Sequence, residues 1–209
     1  AYAPYTGKGT GERSLVMQIL KRVARKELLF LLDAGQWTIQ TMLPLHLCSV
    51  LVFLSAFMLA TKNYPIYEFV YFLGIAGALQ ALLTPDAGRY GFPHFRFFQS
   101  LISHGSIVIS GVWMTTVERY RPYPRSILRV AVIGNVYMGL VAIVNAMIGS
   151  NYLMIAYKPP GPSLRDLMPP WPWYIPVLEV LAWIFILLLY LPFAVRDRKA
   201  GRTIQRQAS

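Results

Sequence analysis

The chain has little charge, few acids and a single cysteine. Of 209 residues only 14% are charged, nine are Asp or Glu, three are His, and Cys48 is the one cysteine. A single cysteine excludes an intrachain disulfide and says little about redox compartment. The sequence holds no GxGxxG after a strand, no P-loop, no HExxH and no C-x-x-C, so the short signatures of dinucleotide, nucleotide and zinc-hydrolase chemistry are missing. Alternating segments of roughly ten residues, the mark of a transmembrane β-barrel, are missing too. Internal repeats, heptads and low-complexity tracts are likewise absent, which points to one domain.

Apolar residues are what the sequence does have. They make up 56% of it and the mean hydropathy is +0.45, values of an integral membrane protein. They gather in runs of about twenty, the length a helix needs to cross a hydrocarbon core of about 30 Å. Lipid offers no partner to unpaired backbone groups, so the spans are helices. The expected fold is all-α, a polytopic transmembrane helical bundle.

Five spans stand out, Thr38–Ala60, Pro65–Thr84, Phe98–Thr116, Ser126–Gly149 and Trp173–Val195, with Trp171 and Trp173 as interfacial anchors of the last. A sixth segment, SLVMQILKRVARKELLFLLDAGQW, is interrupted by Lys21, Arg22, Arg25 and Lys26. The sequence divides into a basic N-terminal segment (1–37) with an amphipathic or spanning helix, the bundle (38–195) and a basic tail (196–209). Residues 1–13 lack an apolar core and are not a signal peptide.

A net charge of +11 in a soluble protein would suggest nucleic acid; here the cations sit in loops and tails, where they set orientation and touch anionic headgroups, so no nucleic acid is expected. Five crossings leave ten cations on one side and nine on the other. A sixth gives fifteen against four, favouring six crossings with both termini cytoplasmic.

We call the side away from the tail the outer side. Counting about 1.5 Å per residue from each span's outer end puts His46 and Cys48 about 12–15 Å deep, His104 and Glu179 about 9–10 Å, and Asn145 and Gln80 about 6 Å, with Gln40 and Gln99 nearer the surface. The inner half has Glu68 and Arg129 near its interface, Asn135 towards the middle, and little else. Five helices thus aim polar groups at one outer layer, which is what a shared cavity needs. Pro44, read as lying inside the first span, frees the carbonyl of Gln40 and bends the helix that carries His46 and Cys48. Each amide taken alone is more often packing glue between helices, and Cys48 more often a small apolar filler.

The loop LTPDAGRYGFPHFRF presents Asp86, Arg89, His94 and Arg96 at the mouth of the same layer, either as a lid or headgroup clamp or as an anchored turn. Acyl transfer would pair a Cys or Ser nucleophile with a His base. His46 and Cys48, two residues apart, point about 200° apart on a regular helix and do not form a dyad there. A partner for His104 across helices is easier, with Glu179 or Asn145 orienting the ring. No metal site is expected. A haem or pigment would take His46 and His104 as axial ligands.

The stretches QWTIQTMLPLHLCSVLV, EFVYFLGIAGALQALLTPD, GFPHFRFFQSLISHG, GSNYLMIAYKP and LMPPWPWYIPVLEV resemble the YwaF-like family of bacterial integral membrane proteins over about residues 35–195. The family resembles eukaryotic multi-span acyltransferases that remodel ether phospholipids, in which a cysteine followed directly by histidine on an early helix carries the acyl group. In this chain that place reads Pro44-Leu45-His46, so the histidine carries over while Leu45 stands where the cysteine would be and Cys48 follows two residues later. His104, in SHG, resembles a second histidine of related intramembrane lipid hydrolases. The polar layer, the loop and the resemblance together suggest a lipid acyltransferase or hydrolase in a bacterial inner membrane, using His46, His104, Cys48 and Glu179, with Gln40, Gln80, Arg89, His94, Arg96 and Asn145 around the lipid; of these the resemblance itself carries over only His46 and His104. The alternative is a non-catalytic scaffold subunit of a membrane complex that binds lipid or a pigment or haem.

Overall fold

A computed structural model describes residues 18, 22, 25, 29, 38–83, 92–93, 95–158 and 168–199 of the chain. Among these every regular element is a helix. We label them α1 (Leu47–Thr61), α2 (Tyr64–Leu83), α3 (Phe95–Thr116), α4 (Pro124–Ile148) and α5 (Tyr174–Lys199), with a short 3-10 turn at Tyr152–Met154. The last four are long and apolar enough to cross a membrane. The sixth crossing falls on residues outside those described, apart from Gln18, Arg22, Arg25 and Leu29, which are helical and exposed.

The first expected span needs correction. Its helix starts at Leu47, nine residues later than expected, and has 15 residues, about 22 Å at helical rise. Pro44 therefore does not kink a helix; it lies in a turn ahead of one. The physical reason is that Pro44 disfavours helical backbone at Leu43, while partners outside the helix replace the lost bonds. Thr38 O accepts from Thr41 N and Met42 N, and the Leu43 amide donates to the Tyr152 hydroxyl at 2.8 Å. His46 is the last extended residue (φ −68°, ψ 140°) before α1 begins.

Connections set the topology. Lys62, in left-handed backbone, closes α1 with its amide on Met58 O at 2.7 Å. Asn63 then accepts from Ile66 N, and Pro65 fills the first turn of α2. So tight a link makes α1 and α2 antiparallel neighbours, and strict alternation brings α1, α3 and α5 down from the outer side and α2 and α4 up from the tail side.

α2 is the hub. It contains a π turn at Val70–Gly74, where Val70, Tyr71, Phe72 and Gly74 are buried. α1, α3 and α5 all pack on this turn, while α4 packs on the first turns of α2 and on the Tyr152 turn. The core of Leu51, Met58, Val70, Phe72, Ile107 and Met114 surrounds it. A Cβ on Gly74 would lie 3.0 Å from Ile107 Cγ2 and 3.6 Å from Leu51 Cδ2. Gly74→Val is thus expected to overpack a β-branched, buried neighbour and lower stability by about 1–3 kcal/mol. Thermal unfolding in detergent checks this against Gly139→Ala, where nothing lies within 4 Å of the added carbon.

Candidate functional site

Gly74 fixes a level across the bundle. Leu51 on α1 and Ile107 on α3 meet over it, and these two helices are parallel and directly packed. Three residues outward on each lie Cys48 and His104, so both sit about one helical turn, about 5 Å, outside that level. Gly134 on α4 abuts Leu73 of α2, since its Cβ would be 3.3 Å from Leu73 Cδ1. Asn135 therefore lies at the Gly74 level.

Glu179 joins this layer from α5. Its Oε1 accepts from Asn135 Nδ2 at 2.9 Å, and the same Nδ2 donates to Ala131 O at 3.0 Å. Depth counted from the end of its own span set Glu179 well above Asn135. The hydrogen bond puts the two at one level, so residue counting from the start of α5 misplaced Glu179; Tyr174, at that start, is buried and its hydroxyl donates to Met154 O.

His104 is half-buried, and its Nδ1 lies 2.8 Å from the carbonyl of Ser100, with the Ser100 hydroxyl at 3.2 Å. A carbonyl only accepts, so Nδ1 carries the proton in the neutral ring and Nε2 holds the lone pair of a base. Gln99, Ser103, Ser106 and Ser110 form the buried stripe of the same helix. The hydroxyls of Ser106 and Ser110 donate to the carbonyls of Ile102 and Ile107.

His46 meets the end of α4 through Tyr152, edge to face, with ring centres 5.4 Å apart. Tyr152 is a clamp. Its hydroxyl donates to Ile39 O at 2.7 Å and accepts from Leu43 N, while its backbone N–H and C=O both bind the Asn145 amide. Asn145 Oδ1 also accepts from Ser150 Oγ at 2.7 Å. Asn145 is buried, and its amide holds the turn after α4. The Tyr137 hydroxyl on α4 ties down Leu45 O at 2.7 Å, next to His46. Because His46 precedes the helix, the angular spacing that separated it from Cys48 does not apply. Gln40 and Gln80 are exposed on the outer side. Arg89, His94 and the Arg96 side chain lie outside the described residues, as does most of the proposed lid.

The tail-side half holds more than Glu68 and Arg129. Glu68 is 1% exposed, with Ser126 Oγ on one carboxylate oxygen and Arg129 Nη1 on the other at 2.7 Å. Arg121 grips Asp197 with both Nη atoms, joining the α3–α4 connection to the end of α5. This carboxylate pushes the Arg121 guanidinium above its ordinary pKa, and burial pushes the Tyr120 phenol up. Lys62 pairs with Glu118 at 2.9 Å. Tyr64, Tyr67, Tyr71, Tyr120 and Tyr123 pack around these pairs, their rings 5.4–6.2 Å apart. Alternation of hydropathy carries no sign of this network; the signal available was the density of tyrosine at the tail-side ends of three spans.

Among the described residues no three His, Cys, Asp or Glu side chains gather as metal ligands. The outer layer holds a thiol and an imidazole at similar depth on adjacent helices, with a carboxyl–amide pair about one turn deeper. No curated protein and no solved structure matches the sequence. The profile of the TMEM164 family matches residues 8–190, and the chain belongs to this family of membrane proteins.

Proposed function

We propose that the protein is an intramembrane lipid acyl-transfer enzyme whose site lies in the outer half of the membrane. The observation that carries this is the placement of Cys48 and His104 one turn outside the shared Leu51–Gly74–Ile107 contact, with His104 Nε2 left as the basic nitrogen. The resemblance to YwaF-like proteins and ether-lipid acyltransferases supports it and adds His46, at the start of α1.

In this scheme His104 Nε2 takes the Cys48 proton and the thiolate attacks the carbonyl carbon of a lipid ester. The ester C–O bond breaks, and the departing lipid alcohol receives the proton from His104. The thioester is then attacked by the hydroxyl of a second lipid, or by water, with His104 again holding the proton in transit. His46 and its Tyr152 contact set the start of the helix that carries the thiol.

Protein reconstituted with a fluorescent-acyl phospholipid tests the scheme. His104→Ala is expected to slow acyl release about a hundredfold, in line with loss of a positioned base. Cys48→Ala is expected to abolish a hydroxylamine-sensitive acyl label on the protein. Unchanged rates in a folded His104→Ala protein would remove the proposal.

A further inference from the structure

The pair Asn135–Glu179 is placed where a polar pair is hardest to keep. Asn135 lies 11 residues after Pro124 and 13 before Ile148, near the middle of a 25-residue helix and about 16 Å or more from either end. Asn135 is exposed and Glu179 half-exposed. α4 packs on the start of α2 and α5 on its π turn and outer turns, so the two helices have little backbone in close contact, and the pair bridges the space between them. Neighbouring Val136 and Val180 are more than half exposed. Polar groups at such depth ordinarily turn into a bundle and are satisfied there.

The hydrogen bonds define what is left over. Asn135 Nδ2 uses both protons, on Ala131 O and Glu179 Oε1. Among the described residues nothing fills Asn135 Oδ1 or Glu179 Oε2. One is an acceptor; the other accepts when ionised and donates when protonated. An alcohol has one O–H: with the carboxyl protonated it accepts from Glu179 and donates to Asn135 Oδ1, and with the carboxylate ionised it donates to one of the two oxygens. An ammonium or phosphate group would have to lose its hydration to reach the middle of the hydrocarbon, so the matching class is an uncharged lipid with a free hydroxyl, such as an acylglycerol.

We infer that the space between α4 and α5 is a binding site for a neutral lipid alcohol, held by its hydroxyl between Asn135 Oδ1 and the Glu179 carboxyl. It rests on the acyl-transfer proposal only for its use, as the acceptor whose hydroxyl takes the acyl group. Binding itself is separate from turnover.

Native mass spectrometry of protein released from phosphatidylcholine vesicles provides the test, with 1-oleoylglycerol and its dimethyl ether as probes. Wild type is expected to retain the alcohol about fivefold or more over the ether, the worth of one buried hydrogen bond. Asn135→Leu and Glu179→Ala, each checked for helix content, are expected to lose the preference. Equal retention of alcohol and ether by wild type, or an undiminished preference in either folded variant, overturns the inference. Loss of the preference in both variants with acyl transfer at the wild-type rate keeps the site and removes its role as acceptor site. A preference that persists in wild type lacking any acyl transfer keeps the site and removes the proposed function.

Discussion

Arg129→Ala is expected to destabilise the protein by about 3 kcal/mol, because it strands the Glu68 carboxylate, which is 1% exposed, with Ser126 as its one remaining partner among those described. The lower end of the range for broken buried pairs applies, since the Arg129 side chain is 44% exposed and water replaces part of it. The sign reverses for the pair. Removing both charges in Glu68→Met/Arg129→Met leaves no stranded ion, and the double variant is expected to unfold within about 1 kcal/mol of wild type. Unfolding in detergent, followed by circular dichroism on the two single variants and the double, checks this. Additive losses in the double variant would mean that the two side chains are not energetically coupled, and would remove this account.

Asn145→Ala is expected to have an effect of similar size for a different reason. The Asn145 side chain makes three hydrogen bonds, from Ser150 Oγ and Tyr152 N and to Tyr152 O, all in a buried turn. Truncation leaves three buried polar groups unsatisfied at about 1 kcal/mol each, so about 3 kcal/mol is lost. The loss is expected to reach a distant segment. With Tyr152 released, Ile39 O and Leu43 N lose their shared hydroxyl, and amide exchange at residues 39–43 is expected to rise with that of the turn. Tyr152→Phe, which removes the hydroxyl alone, is expected to speed exchange at 39–43 while sparing the Asn145 bonds. Unchanged protection at 39–43 in both variants would mean that the clamp does not hold this segment.

Hydropathy made the four long spans legible to within about three residues at most ends, because lipid enforces one helix per apolar run. Where it failed, the cause lay elsewhere in the chain. Thr38–His46 reads as helix until Tyr152, over a hundred residues away, supplies bonds that the helix would otherwise provide. Glu179 was visible as a carboxyl out of place, but its partnership with Asn135, on another helix, was not. Nothing in VYFLG announces a π turn. His104 was picked out by type and position alone, whereas its tautomer came from a bond to its own helix.

The 15 residues of α1 fall about 8 Å short of a full hydrocarbon crossing, and the turns ahead of it are irregular backbone that oil does not solvate. A helix this short favours local thinning of the leaflet away from the tail, which brings water towards its first turn. The thiol of Cys48, in that first turn, then sits nearer the interface than its place in the apolar run of the sequence implies.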